Sequence, residues 1–142
     1  MEPRVEFTGR FEGRVWFFGD NISSDLMMPG AAVLARPGIS EQEAAKFCME
    51  ANRPGWAMQV QPGDILVAGK NFGCGSSRSA PRVLRSLGIA AVVAESLARL
   101  FFRNAVNAGL PILSCPDVRQ MFTEGDIAQV DIEAGEVKNL IR

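Results

Sequence analysis

The chain has 142 residues, of which 47% are hydrophobic and 22% are charged. This length and composition are typical of one soluble globular domain, here residues 1–142, with enough apolar side chains for its own core. Its 15 basic and 16 acidic side chains form no long basic run, which argues against nucleic acid as a partner.

Several other classes of protein are excluded by features that the sequence lacks. No apolar run approaches the roughly 20 residues that a membrane span needs, and the charged residues 1–6 do not resemble a signal peptide, so we expect a cytoplasmic protein. Because it has no histidine, the chain cannot supply a Ser-His-Asp triad or a histidine-bound zinc. Cys48, Cys74 and Cys115 are too scattered for a disulfide framework or an iron–sulfur cluster.

The first half of the chain predicts a strand, a helix and a second strand. Residues 14–18 are rich in β-forming side chains and predict a strand. Ser40 and Glu43 have the spacing of a capping box, which predicts a helix that extends to about Ala51. The apolar run Ile65–Ala68 follows a Pro-Gly turn and predicts a short buried strand.

The second half alternates helices and strands. Pro81 fits the first turn of a helix that ends at Gly88, and Ser96 is positioned to cap another helix that ends near Asn107. The remaining runs predict strands at residues 89–94, 111–113 and 127–132 and a short helix at 118–122. This alternation predicts an α/β fold with a parallel or mixed sheet flanked by helices.

The strongest chemical signal lies at residues 71–78, between a predicted strand and a predicted helix. Backbone N–H groups at such a junction carry the positive end of the helix dipole. Ser76, Ser77 and Arg78 add two hydroxyls and a guanidinium, which suits a carboxylate or a phosphate. The segment is neither a Walker A loop nor G-x-G-x-x-G, and its spacing alone fits a structural turn with a capping serine equally well.

Three other positions have simpler interpretations when taken alone. Asp25 follows a strand, where an aspartate commonly forms an Asx-turn or a helix cap. Arg99 and Arg103 lie four residues apart and are typical of solvated surface charge. Cys74 stands between two glycines, so a small residue in a tight loop is a better interpretation than a nucleophile or a metal ligand.

Three segments resemble one known family, in the order that the family has them. GKNFGCGSSR at residues 69–78 closely resembles the Gly-Ser-Ser-Arg loop of isopropylmalate isomerase small subunits and of the swivelling domain of aconitase. GDNISSDLMMPG at 19–30 is similar to the family's GDNIDTD-x-x-IPG segment. AESLARLFFRNAVNAGL at 94–110 resembles its A-x-S-x-A-R-x-x-x-R-N-x-x-x-x-G-L helix.

The resemblance implies a fold, an activity and a partner. The fold is the aconitase-type swivelling β/β/α domain, and the activity is the reversible dehydration of a hydroxy di- or tricarboxylate. The chain would be a small subunit without a cofactor or metal of its own, active only with a large subunit that carries a [4Fe–4S] cluster. We expect 3-isopropylmalate or a related alkylmalate as the substrate, as in leucine biosynthesis.

The resemblance also assigns roles to individual residues. It implies that Ser76 is the catalytic base and that Asp25 is the active-site aspartate. It places Ser77 and Arg78 on the substrate carboxylates, in one binding loop with Gly75. The family usually has one more residue, with a carboxylate, before the proline that is Pro81 here.

The segment at residues 31–36 occupies the place that the family associates with substrate choice. Its Ala-Ala-Val-Leu run, which includes Leu34, suits an alkyl group on the substrate, whereas Arg36 suits a third carboxylate. Two alternatives to an enzyme subunit remain open at this point. One is a non-catalytic swivelling module that binds an anion or a protein, and the other is a free-standing flavodoxin-like phosphate binder.

Overall fold

A computed structural model of the chain describes residues 9–28, 35–75 and 77–141. The strands in these ranges form one six-stranded sheet in the order β4-β3-β2-β1-β5-β6. Strands β1 to β4 are parallel to one another, whereas β5 is antiparallel to β1 and β6 is antiparallel to β5. The strands are β1 (Arg10–Phe17), β2 (Ile65–Ala68), β3 (Ala91–Ala94), β4 (Ile112–Ser114), β5 (Ile127–Asp131) and β6 (Glu136–Asn139).

Within the described ranges, five α-helices and one 3₁₀ helix connect the strands. They are the 3₁₀ helix Ser24–Met27, α1 (Glu41–Ala45), α2 (Trp56–Gln59), α3 (Ala80–Leu87), α4 (Arg99–Ala108) and α5 (Val118–Met121). Pro81 lies in the first turn of α3, as predicted, and Gly88 ends the helix in a left-handed conformation. None of the helices in the described ranges has the length and apolar character that a membrane crossing requires.

The core has two parts, one on each face of the sheet. Neighbouring residues of a strand point to opposite faces, so Trp16 and Leu66 belong to one cluster while Val15 and Ile65 belong to the other. The first cluster includes buried residues of α1, α2, α3 and α4, and the second includes Val118 of α5. The mixed sheet flanked by helices, predicted from the sequence, is therefore confirmed.

Two predicted helix boundaries were wrong. The helix capped by Ser40 ends at Ala45 rather than near Ala51, although Ser40 Oγ does accept the Glu43 N–H (3.1 Å). Beyond Ala45 the N–H groups of residues 46–48 bond three residues back rather than four, and the left-handed Met49 (φ 60°) donates its N–H to Leu26 O (2.9 Å), outside the helix. Ser96 does not cap α4, since its hydroxyl accepts the Asn71 N–H (2.8 Å) and Ala98 holds the N-cap position.

A buried carboxylate fixes the start of β2 against β1. Asp64 is only 4% exposed, and its Oδ2 accepts from Trp16 Nε1 (2.7 Å), Arg14 Nη2 (3.1 Å) and the Gln61 N–H (2.9 Å). Several donors on one buried carboxylate offset the cost of its desolvation. Asp64 therefore holds β1 in register with β2, the two strands that lead into the candidate site.

This arrangement predicts that the indole N–H groups of the two tryptophans contribute differently to the free energy of unfolding. Trp16→Phe removes a donor to a charged acceptor, whereas the buried Trp56 Nε1 has no hydrogen-bond partner among the described residues. We expect Trp16→Phe to lower the free energy of unfolding by about 1 kcal/mol or more beyond the loss caused by Trp56→Phe, since hydrogen bonds to charged groups contribute about 1.5–3 kcal/mol. Urea unfolding of the two variants measures this, and equal losses would contradict it.

Candidate functional site

The candidate site residues lie at one edge of the sheet. β1, β2 and β3 are parallel neighbours, so the loops that follow them leave the sheet at the same edge, where α/β proteins commonly bind ligands. The loop after β1 contains Asp25, the loop after β2 contains Gly75, Ser77 and Arg78, and the loop after β3 leads into α4. The three segments that carry the family resemblance therefore meet in space.

The first two loops are joined through their main chains. Asn21 N–H donates to Lys70 O (2.8 Å) and Gly73 N–H donates to Ile22 O (2.8 Å). Ser23 and Cys74 then form a parallel bridge. Because the backbones are paired along this length, the distance between the main chains at Asp25 and Gly75 is set by the fold rather than by side-chain rotamers.

Gly75 is the point of closest approach between these loops. It has a φ of 105°, which an L-residue with a side chain rarely adopts. A β-carbon at this position would lie 2.9 Å from the hydroxyl oxygens of Ser23 and Ser24 and 3.5 Å from Asp25 Oδ2. The glycine therefore lets the Ser23 and Ser24 hydroxyls pack closely against this loop, and the Asp25 carboxylate lies next to them.

The main chain of Ser77 is fixed by the loop after β1. Its N–H donates to Ser24 Oγ (3.1 Å), and Ser24 is only 1% exposed. The expectation from the sequence that the backbone donors of this junction face an anion is therefore wrong for Ser77, because its N–H is already used within the protein. Ser79 occupies the N-cap of α3 without a side-chain cap hydrogen bond, so it does not play the capping role.

Three polar side chains at the site have no partner among the residues that the structure describes. Asp25 and Arg78 are exposed and Ser77 is half-buried. Within the described ranges, none of the three side chains makes a hydrogen bond or an ion pair, unlike Asp64 and most other charged residues near the sheet. An acceptor, a hydroxyl and a guanidinium are thus available to a ligand at the same edge.

The loop after β3 holds the second loop from its other side. Phe72 N–H donates to Ser96 O (3.1 Å), and Ala98 N–H donates to Phe72 O (3.0 Å). The rings of Phe72 and Phe101 pack edge to face with 5.3 Å between centroids, and a β-carbon on Gly73 would overlap Phe101. Arg99 and Arg103 on the same helix are exposed and have no ion pair in the described part of the chain, in agreement with a surface role.

An ionic network behind the site was not predicted from the sequence. Arg119 of α5 donates to Asp20 Oδ1 (3.1 Å) and to Glu95 Oε1 (3.2 Å), and Asp20 Oδ1 also accepts the Lys70 N–H (2.7 Å). These contacts tie together the ends of β1, β2 and β3. Nothing in the sequence pairs Asp20 with a residue 99 positions away.

Of the three remaining predicted site residues, Arg36 lies in the described part of the chain and the other two do not. Ser76 and Leu34 lie outside the described residues, as does the rest of the 29–34 segment. Arg36 is exposed, and its guanidinium lies 5.2 Å from the centroid of the Phe47 ring, a cation–π contact. The structure therefore brings together Asp25, Gly75, Ser77 and Arg78 and gives Arg36 an aromatic neighbour.

The cysteines do not form a cluster site in the described residues. Cys48 is fully buried in the core, and burial raises the pKa of its thiol well above the ordinary value. Burial and the charge of Asp117 raise the pKa of the Cys115 thiol, which disfavours the thiolate that a metal needs. No group of three or more histidine, cysteine, aspartate or glutamate side chains in these ranges has the geometry to hold a metal ion.

We therefore predict that the isolated chain binds no iron–sulfur cluster. Anaerobic reconstitution with iron and sulfide should leave its visible absorption spectrum unchanged, because cluster binding requires several thiolates at matched spacing. The same treatment of an aconitase-type large subunit provides the positive control. A stoichiometric four-iron cluster on this chain would contradict the prediction.

Comparisons with known proteins agree with this geometry. Residues 27–117 match the aconitase C-terminal domain family. The chain is 47% identical over 131 residues to the isopropylmalate/citramalate isomerase small subunit of Methanocaldococcus jannaschii, covering 91% of this chain and 76% of that protein. It is 46% identical over 130 residues to the 3-isopropylmalate dehydratase small subunit of Halothermothrix orenii, covering 91% and 77%.

Two further comparisons, one with a sequence relative and one with a solved structure, agree with these matches. The methanogen homoaconitase small subunit of Methanothermobacter thermautotrophicus is 45% identical over 133 residues, covering 93% of this chain and 75% of that protein. A crystal structure of 3-isopropylmalate dehydratase from Methanocaldococcus jannaschii superposes with a TM-score of 0.80 at 35% identity, covering 91% of this chain and 75% of that one.

The chain belongs to the aconitase C-terminal domain family. The predicted swivelling-domain fold is thereby confirmed, and with it the predicted class, the small subunit of an aconitase-type hydro-lyase. A non-catalytic module and a flavodoxin-like phosphate binder are not favoured by these matches. The relatives carry names for different hydroxy acids, so membership of the family does not by itself select the substrate.

Proposed function

We propose that the chain is the small subunit of a heteromeric hydro-lyase that reversibly dehydrates 3-isopropylmalate or a related alkylmalate. In this proposal the chain supplies Ser76 as the base and Arg78 as the main carboxylate-binding residue. The observation that carries the proposal is the junction of the loops after β1 and β2, which places Asp25 against Gly75 beside Ser77 and Arg78. A cytoplasmic location and the single-domain organisation of residues 1–142 stay predictions from the sequence.

Arg78 suits a dicarboxylate substrate in charge and in shape. Its guanidinium is exposed and has no ion pair among the described residues, so binding a carboxylate breaks no internal contact. A guanidinium can give two parallel hydrogen bonds to one carboxylate, which fixes both its position and its orientation. The Ser77 hydroxyl, on a main chain held by Ser24, is placed to add a further hydrogen bond.

The chemical problem in this reaction is the proton next to a carboxylate. Its removal adds negative charge to that carboxylate, so a cation beside the carboxylate stabilises the transition state more than the ground state. A serine hydroxyl is a weak base, and its alkoxide form needs the same positive surroundings. Since Ser76 is two residues before Arg78 in the chain, one guanidinium can serve both purposes.

Asp25 gives the site a carboxylate of its own. Its Oδ2 faces Gly75 and makes no hydrogen bond within the described ranges, so it can accept a hydrogen bond from a substrate hydroxyl or hold a proton. Together, a base, a carboxylate clamp and an acceptor cover proton removal and substrate orientation. They do not cover departure of the hydroxyl group, which calls for an acid from another chain.

The large subunit is the partner that could provide the missing acid. Its [4Fe–4S] cluster, implied by the family resemblance, would supply a Lewis acid for the leaving hydroxyl group.

Leu34 and Arg36 are proposed to contact the side group of the substrate, at the segment that differs from the family pattern. We favour an alkyl side group because this segment is mostly apolar and Arg36 already stacks on Phe47.

The proposal is tested by assembling the complex and screening substrates. The chain is co-expressed with the aconitase-type large subunit of the same genome, and formation of the unsaturated acid is followed by its ultraviolet absorbance. We expect turnover of 3-isopropylmalate by the complex and none by either subunit alone. Turnover by this chain alone, or a complex that acts on no alkylmalate, would refute the proposed function.

A further inference from the structure

A small pocket lies between α1, α3 and the end of the 3₁₀ helix. Its volume is about 260 Å³, and Met28, Ile39, Ala44 and Val83 form its apolar walls. Ala44 and Val83 are 8% and 7% exposed, so these walls belong to packed helices. Pockets for whole small molecules are commonly about 300–1,000 Å³, so this one suits part of a ligand.

The pocket adjoins the proposed site through two of its residues. Met28 follows the 3₁₀ helix that carries Asp25, and its N–H donates to Asp25 O (3.3 Å). Ser79, which also lines the pocket, directly follows Arg78 in the chain. A substrate held by Arg78 and Asp25 would therefore have this pocket beside it.

The charges that line the pocket neutralise each other. Arg82 Nη2 and Glu41 Oε2 are 3.2 Å apart, and both residues border the pocket. Arg82 is the positively charged residue in the described lining of the pocket, and its guanidinium is already paired with Glu41. A carboxylate that entered the pocket would have to displace Glu41 or accept its repulsion, whereas an alkyl group would leave the ion pair intact.

We infer that this pocket receives the uncharged alkyl group of the substrate and that the Glu41–Arg82 ion pair rejects a carboxylate at the same place. The inference rests on the proposed function and adds the residues that select the side group. It assigns size discrimination to Ala44 and Val83 and charge discrimination to Glu41. None of these residues stood out in the sequence as part of a site.

The first test fills the pocket. In the assembled complex, Ala44→Leu should lower kcat/KM for 3-isopropylmalate at least about tenfold relative to 3-methylmalate, because one methylene in an apolar pocket already changes specificity about 10–200-fold. Ala134→Leu, in the exposed turn between β5 and β6, is the matched control and should leave the ratio unchanged. Val83→Ala, which enlarges the pocket, should shift the ratio toward 3-isopropylmalate.

The second test removes the negative charge that pairs with Arg82. Isocitrate is a malate with a carboxymethyl group in place of the isopropyl group. Because the side chains of Arg82 and Glu41 are 63% and 53% exposed, Glu41→Gln should raise its kcat/KM relative to 3-isopropylmalate by about threefold to tenfold. Glu41→Gln combined with Arg82→Gln should lose this gain. Glu43→Gln, a neighbouring exposed glutamate in the same helix turn that does not line the pocket, is the control.

The outcomes separate this inference from the proposed function. If the wild-type complex acts on alkylmalates but Ala44→Leu, Val83→Ala and Glu41→Gln leave both ratios within about twofold of wild type, the pocket does not select the side group. Equal losses on all substrates lead to the same conclusion, provided that thermal unfolding and co-purification show intact complexes. A wild-type complex without alkylmalate activity overturns both the proposed function and this inference.

Discussion

Replacing Ser76 by alanine should lower kcat of the assembled complex by about 10²–10⁴-fold, the usual effect of losing a general acid or base. The expectation follows from the proposed role of its hydroxyl, which takes the proton next to the substrate carboxylate. KM should change much less than kcat, since the proton is transferred in the transition state and the proposed carboxylate contacts of Ser77 and Arg78 are retained.

Steady-state kinetics of the purified complex measure this effect. Ser86→Ala, in α3 and away from the Gly-Ser-Ser-Arg segment, is the control for a serine-to-alanine change and should keep kcat close to wild type. Circular dichroism and co-purification with the large subunit should be unchanged in both variants. If Ser76→Ala retains kcat within about threefold, another group removes the proton.

Arg78→Lys is expected to give the next largest effect, although it keeps the positive charge. Lysine cannot reproduce the planar two-point contact of a guanidinium with a carboxylate. Charged hydrogen bonds contribute about 1.5–3 kcal/mol, which corresponds to a loss of about 10–150-fold in kcat/KM. Both KM and kcat should suffer, because in the proposed mechanism the same guanidinium binds the substrate and stabilises the charge that develops on it.

The control for this substitution is Arg10→Lys. Arg10 begins β1 at the opposite end from the site and pairs with Asp131 at 3.2 Å on the surface. Its replacement should leave kcat/KM unchanged, since exposed ion pairs contribute little. An Arg78→Lys complex with wild-type kcat and KM would mean that Arg78 contacts solvent or the large subunit rather than the substrate.

Much of the fold was predictable because its central strands are buried on both faces. Such strands appear as short, continuous apolar runs, and both Ile65–Ala68 and Ala91–Ala94 are buried at every residue. The edge strand β6 (Glu136–Asn139) was missed because it alternates exposed and half-buried residues and has no apolar run. The four-residue helix α2 was also missed, since it is too short to show helical periodicity.

The limits of the site prediction have a different physical origin. The motif containing Ser77 and Arg78 was recognisable, but its distance to Asp25 depends on the pairing of β1 with β2, strands about fifty residues apart in the chain. The same pairing turns the Ser77 N–H toward Ser24, which the sequence did not indicate. The Glu41–Arg82 pair likewise depends on the packing of α1 against α3, which periodicity alone does not specify.

The central claim is that this chain completes the active site of a large subunit, and a titration tests it most directly. The reconstituted large subunit is held at fixed concentration, and the rate of 3-isopropylmalate dehydration is measured as this chain is added. We predict a rate that rises from zero and saturates with the wild-type chain, and that stays near zero with the Ser76→Ala chain although it binds equally well. Full activity of the large subunit without this chain, or equal rates with the two chains, would contradict the claim.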